Sequence, residues 1–507
     1  MGLISSIKTL SGVPDLAVND ADMSRITDWL SAYQGHASWL NYRWEDNQGR
    51  EHGDRLMSLQ MPKVAAKKMS SLVFNQAATI TAYPKGNEPQ AGRTSPNDDD
   101  NEPNKMLQAI LSANHFYDNM ERYLEYCFGS GGVAAREYVY NGEVKIRFAT
   151  ADAFIPLSSD ANGVTECVIA TQFVNDGKNY TLLEWHTEDD NFYHIKNQLF
   201  KSTSADGSDL GVEVPLTDVY ANLKPQADYS KQLYSRPTFQ YLKPNLANNF
   251  NLNSPLGIPI YANAMDTLRQ LDQAYDMLMQ EMVMGRRRII APDWMLKLKT
   301  DPHTGKERWA VDWRDRAYQV FRGDQNGQNA DGIKDITSPL RNEQLIATIN
   351  NLLKIFAAQT GFSAGTFSYD AVQGQQTATE VISQNSDTYQ SKNSHETLVS
   401  RFIQDIATSC LELAKNAPSV KYNASAEVTI MVNFDDSIAK DRDENAKYYQ
   451  LMNGNKPLMP HLESIKRANG LDDQTAASWQ QEIEDEEPKD GDMDSILKQS
   501  AGEDDGA

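Results

Sequence analysis

Residues 360–397 read TGFSAGTFSYDAVQGQQTATEVISQNSDTYQSKNSHET. The stretch opens on glycines, Ser and Phe and runs into what reads as a long helix. It is dominated by Ser, Thr, Asn, Gln and Gly, and it separates two segments with helical apolar spacing. Upstream, NEQLIATINNLLKIFAAQT sets Leu345, Ile349, Leu352 and Phe356 on one stripe. Downstream, residues 377–416 read as one helix, which at 1.5 Å per residue would span roughly 60 Å, about twice the width of a small domain. A helix of that length is shared between modules, so the polar run marks a junction on which the architecture turns.

Working outward, YANAMDTLRQLDQAYDMLMQEMVMGRRR predicts another helix, with Met265, Leu268, Leu271, Tyr275, Leu278 and Met282 on its apolar stripe and a stop at Gly285. Between the two striped helices, residues 286–340 form a small insert with strand-like pieces RRRIIAP, WMLKLKT and AYQVFRG. From about 134 to 245 the period changes to two. REYVYNGEVKIRFAT alternates around an Asn-Gly turn, the mark of a β-hairpin. Residues 1–80 read as helices, including ADMSRITDWLSAYQ and MPKVAAKKMSSLVFNQ, the latter pairing a Lys face with an apolar one. KMLQAILSANHFYDNMERYLEYCF reads as a single helix ending at Gly129. LKPNLANNFNLNSPLG is a linker, SAEVTIMVNFDDS a strand, and the segment after it a small helical module with an acidic end.

The chain has 507 residues, 40% of them hydrophobic, which predicts two to four modules with ordered cores. No run of about 18 apolar residues exists to cross a membrane, and the N-terminus lacks the apolar centre of a signal peptide. Cys127, Cys167 and Cys410 are far apart and unpatterned, so they read as buried free thiols in a reducing compartment. Net charge is −22. A protein that grips DNA through its phosphates should be basic, because affinity comes from Lys and Arg releasing counterions. This chain either never meets nucleic acid or meets it without gripping.

Motifs that carry chemistry are few. GFSAG, residues 361–365, fits the G-x-S-x-G hydrolase elbow, which needs a strand before the Ser and a helix directly after it. Here an amphipathic helix precedes Ser363, and only His395 and His461 follow, so a Gly/Ser loop is the expected reading. There is no P-loop and no H-E-x-x-H, and the eight His lack ligand spacing, so neither cofactor nor metal is expected. FDD at 434–436 reads as a solvated turn. Arg286, Arg287 and Arg288 suit either a phosphate contact or a helix end, where cations complement the dipole.

The ordered set resembles the portal proteins of tailed bacteriophages, in the subgroup found in siphophages of Gram-positive hosts. The resemblance is strongest at QTATEVISQNSDTYQSKNSHE and extends to MPKVAAKKMSSLVFNQ and to the order of the elements; Gln376 departs from it, where Lys is common. It implies an α+β portal architecture. Residues 1–257, with 417–440 returning, would be an α/β wing. Residues 258–285 and 341–360 would be stem helices flanking a clip at 286–340. Residues 361–376 would be a tunnel loop, 377–416 a long wing helix, 441–485 a crown and 486–507 an acidic disordered tail.

The resemblance further implies a non-enzymatic ring, a dodecamer, at the capsid vertex of the virion, assembled in the host cytoplasm, through which double-stranded DNA is packaged and ejected. Its partners would be further copies of itself, the terminase large subunit, major capsid and scaffolding proteins, and head-completion or adaptor proteins, with no membrane. The implied tunnel-loop residues are Gly361, Phe362, Ser363, Thr366, Phe367, Ser368, Gln373, Gly374, Gln375 and Gln376. The implied clip residues, facing docking partners, are Arg286, Arg287, Arg288, Trp294, Leu296 with its neighbour Lys297, and Trp313. In such a ring a polar helix would meet its neighbours through hydrogen bonds, and an acidic, polar wall would let DNA slide. The rival readings are a serine hydrolase on Ser363 and a capsid-associated structural protein without a channel.

Overall fold

The computed structural model describes residues 19–46, 49–75, 78–86, 101–204, 207, 209–285, 289–292, 298–300, 307–309, 318–321, 334–335, 339–369, 386–420, 422, 427–434, 449–453, 459–469 and 473–486. Helix and sheet are both extensive in them, in keeping with an α+β protein. No helix among the described residues is long and apolar enough to cross a membrane.

Residues 1–80 are helical as expected only over 20–33 and 61–73; 41–45 and 51–55, read as helical from the sequence, pair instead as strands, and 1–18 lie outside the described residues. Helix α1 (Asp20–Tyr33) starts at Asn19, whose side chain accepts from the backbone N–H of Ala21 and Asp22. It buries Met23, Ile26, Trp29 and Ala32. A short exposed ribbon follows, β1 (Asn41–Glu45) paired with β2 (Glu51–Arg55). Helix α2 (Met61–Val73) turns Ala65, Ala66, Met69 and Val73 inward and Lys63, Lys67 and Lys68 outward. Strand β3 (Thr79–Pro84) comes next.

The single helix expected over 105–128 is two. Helix α3 (Glu102–Ala113) stops, His115 takes the left-handed conformation at φ 48°, and helix α4 (Phe116–Ser130) sets off afresh. The cause is Asn114. Its amide donates to the carbonyls of Ile110 and Val144 (2.8 and 2.9 Å) and accepts from the N–H of Ile146 (2.9 Å). The break places this side chain where it satisfies the open edge of a strand. Helix α4 ends at Gly131 with φ +96°, where a Cβ would lie 2.8 Å from the carbonyl oxygen of Gly257. Only glycine fits there.

The edge that Asn114 serves is β5 (Glu143–Thr150), which pairs antiparallel with β4 (Val133–Tyr140). Asn141 and Gly142 between them both have positive φ, 51° and 80°, the turn that the Asn-Gly signal predicts. β12 (Phe239–Leu242) completes this three-stranded sheet on the other side of β4. A second antiparallel sheet has the order β10-β9-β8-β7-β6: Val212–Val214, Phe192–Lys201, Lys178–Glu188, Gly163–Asn175 and Phe154–Asp160, with β11 (Gln226–Ser230) also on β9.

Two antiparallel helices follow. Helix α5 (Met265–Met284) buries Leu268, Leu271, Ala274 and Leu278. Helix α6 (Asn342–Gln359) buries Ile349, Leu353, Phe356 and Ala357. Glu281 near the end of α5 holds Arg341 at the start of α6 through a two-pronged ion pair. The expected stripes are offset at their margins: Met282 is 47% exposed, and Leu353 rather than Leu352 is buried. Two facing helices close on a narrow seam, so the edge of an apolar stripe stays in solvent. Between the helices, β13 (Ile289–Pro292) pairs parallel with β16 (Tyr318–Phe321) and antiparallel with β17 (Lys334–Asp335), while β14 (Leu298–Thr300) pairs with β15 (Glu307–Trp309). Over their described residues, each of the three strand-like pieces expected in the insert holds a strand.

Helix α7 (Ser386–Asn416) has 31 residues and a length of roughly 46 Å. The expected residues 377–385 lie outside the described residues. β18 (Val428–Asn433) returns to pair with β3, joining the chain's C-terminal part to its N-terminal part. The far edge of β3 is closed by α3: Asn104 accepts from the N–H of Ala82, and Asn101 and Gln108 donate to the carbonyls of Ala82 and Ile80. Helices α8 (His461–Asn469) and α9 (Asp473–Glu486) pack on each other. One apolar core runs through α1, α2, α4, the inner sheet faces, α5, α6 and α7.

Candidate functional site

The polar stretch is a packed junction where α6 hands the chain to α7. Helix α6 ends in a Schellman turn. The N–H of Phe362 donates to the carbonyl of Ala357 (2.8 Å), and Gly361 sits at φ +77°. Phe362 is thereby driven into the core at 1% exposure, and Phe367 follows it. Phe356, Phe362 and Phe367 form one ring cluster, with centroids 5.7 and 5.0 Å from Phe367. Lys68 of α2 lies over the outer face of Phe367, its Nζ 5.8 Å from the centroid. Further on, the N–H of Tyr369 donates to Asn350 of α6 (2.9 Å), and its ring meets Tyr275 of α5 edge-on at 6.4 Å.

Ser363 is bound to the first described turn of α7. Its N–H donates to the Thr388 hydroxyl (2.8 Å), while the Thr388 N–H and hydroxyl both reach its oxygen at 3.2 Å. Both residues are buried. This geometry is not a nucleophile elbow, since Ser363 follows a helix and its oxygen is engaged by Thr388. His395 is committed elsewhere. Its Nδ1 accepts from the N–H of Asn245 (3.0 Å), its ring stands edge-on to Phe128, and burial lowers its pKa to about 4, so the imidazole is neutral. His461 is exposed at the start of α8. No group of His, Cys, Asp and Glu that could hold a metal ion occurs among the described residues.

Thr388, Lys392, His395, Val399, Phe402, Ile403, Ile406 and Cys410 make one buried face along α7. Its N-terminal third is polar because its partners are polar. Asn245 donates to the carbonyl and hydroxyl of Ser394 (2.9 Å each), and Lys392 pairs with Glu396 at 2.7 Å in a buried position. The polar run is therefore, over its described part, a seam inside the chain.

The predicted site residues separate into three groups. Phe362, Ser363 and Phe367 are core, and Gly361 and Thr366 are half-buried beside them. Phe362 and Phe367 pack with Phe356 of α6 in their own chain. Ala364, Gly365, Ser368 and Tyr369 are exposed. Gln373, Gly374, Gln375 and Gln376 lie outside the described residues, as do Arg286, Arg287, Arg288, Trp294, Leu296, Lys297 and Trp313.

Sequence reasoning missed the residues that fix α5 to the N-terminal part. Asp272 accepts from the indole N–H of Trp39 (3.0 Å) and the N–H of Leu59 (3.2 Å), and Asp276 accepts from the N–H of Met57 (3.1 Å). Burial raises the pKa of Asp272, and the hydrogen bonds from Trp39, Ser58 and Leu59 oppose that rise. No local signal could have found them, because the partners are more than 200 positions away.

The chain matches the family described as "Phage portal protein, SPP1 Gp6-like" over residues 14–489. No curated protein matches it. The match spans nearly the whole chain, and the chain belongs to the phage portal protein family, a family of structural virion components.

Proposed function

We propose that this member of the phage portal family acts as a ring of identical subunits around a channel at the capsid vertex. In that role DNA enters the head during packaging and leaves at ejection. The observation that carries this reading is the two-helix stem. α5 and α6 bury one seam between them and leave Met277, Met282, Val283 and Ile355 about half exposed. Apolar side chains left half exposed on a helix pair call for a cover, and a second copy of the same pair supplies one around a closed ring. The insert at 286–340 is then the clip that docks the terminase and later the head-completion proteins, and 441–485 the crown within the head.

In this reading the tunnel-facing part of the junction starts at its exposed residues, Ala364, Gly365, Ser368 and Tyr369, and continues into 370–376. The core residues Phe362, Ser363 and Phe367 then serve as its anchor. The net charge of −22 suits a conduit, since a wall that gripped phosphates would brake the DNA. The experiment is end-on imaging of the purified chain by negative-stain electron microscopy, with mass measurement in solution. Rings of about twelve copies with a central hole are expected. A monomer across a range of concentration and salt would overturn the proposal, and closed assemblies without a hole would favour a capsid-associated protein that is not a channel.

A further inference from the structure

The solvent face of α2 is anomalous for so acidic a chain. It carries Lys63, Lys67 and Lys68 together, all exposed, with Val64 among them. The helix has no acidic residue in its first turn, and none of the three lysines pairs with a carboxylate among the described residues. Lys63 and Lys67 are one turn apart and share a row, with their Cα atoms about 6 Å apart along the axis. Lys68 stands over Phe367, so the basic face borders the exposed residues of the α6–α7 junction.

We infer that this face of α2 contacts the phosphate backbone of double-stranded DNA. The inference rests on the channel reading and names a place where its wall touches the polymer. Charge complementarity decides the occupant. Phosphates need only properly placed cations and no deep pocket. A protein partner needs a buried apolar anchor, and Val64, 43% exposed, is the sole apolar residue between the lysines on that face. With 70 acidic against 48 basic residues overall, the net field of the chain opposes DNA, which makes a contact at this patch weak and salt-labile. Such a contact steadies the duplex at rest and yields when it is driven.

The test is binding of the purified full chain to a labelled DNA duplex across a salt series. Lys63→Gln with Lys67→Gln should weaken binding about tenfold at low salt and reduce the slope of log affinity against log salt by about two. A control pair of exposed lysines far along the chain, Lys178→Gln with Lys224→Gln, should change neither. Unchanged affinity and slope in the first variant, or equal losses in both, would overturn the inference. So would loss of binding to a peptide of residues 481–507 with DNA binding intact, which would assign the face to an acidic protein segment. Imaging the same samples separates the two readings. Rings with an unchanged slope sink this inference alone, and a changed slope without rings sinks the channel alone.

Discussion

Ser363 and Thr388, 25 positions apart, hold each other through both their backbones and their hydroxyls, with distances of 2.8 to 3.2 Å. This clasp joins the end of α6 to the first described turn of α7, and it lies in a buried site where an unpaired N–H is costly.

Thr388→Val keeps the shape and removes the hydroxyl, leaving the Ser363 N–H without its acceptor. The expected loss is about 1–3 kcal/mol, read as a lower denaturant midpoint. Thr388→Ser should retain most of the stability. An unchanged midpoint for the valine variant would show that water replaces the hydroxyl at no cost.

Gly361→Ala meets two obstacles. The backbone there is left-handed, and a Cβ would approach the Ser391 hydroxyl oxygen to 2.6 Å. A loss of about 1–2 kcal/mol is expected from the conformation alone. Adding Ser391→Ala should recover only the part due to contact. Full recovery in the double variant would mean that the backbone conformation carries no penalty.

Glu137 of β4 is buried, and its Oε2 accepts from Ser409 of α7 at 3.0 Å. Burial raises its pKa well above the usual carboxyl value, more than the Ser409 hydrogen bond and Arg236 lower it. The folded state thus holds this proton to higher pH than the unfolded chain, whose Glu titrates near about 4.3. Stability from this group is complete below about pH 4 and falls as pH rises toward the folded pKa. Glu137→Gln stays neutral, so its thermal midpoint should match the parent near about pH 4 and exceed it increasingly at neutral and alkaline pH. A gap that is constant with pH would show that Glu137 keeps its ordinary pKa.

Met282→Glu with Val283→Glu places charge on the exposed side of α5, where the proposed neighbour packs. The variant should yield monomers whose circular dichroism matches that of the parent chain, since both residues are about half exposed. Rings in normal yield would move the subunit contact elsewhere.

The sequence by itself determined whatever depends on near neighbours. A period of 3.6 or 2 is a local property, so helices α5 and α6, the β4–β5 hairpin at Asn141 and Gly142, and three of the insert's five described strands were legible from residue spacing, whereas Glu307–Trp309 and Lys334–Asp335 were not. The family was legible too, because it resides in the order of elements. The tertiary structure alone decided which polar residues are structural. Thr388, Lys392 and His395 carry no burial signal in a polar helix, and they are buried because Ser363, Glu396 and Asn245 meet them. Asn114 interrupts a good helical pattern because β5 needs its amide, and α5 is tethered through Asp272 to Trp39, 233 positions away. A hydrogen bond between distant segments leaves no period in either. Burial of a polar side chain is favourable only once its partner is in place, and the fold supplies that partner.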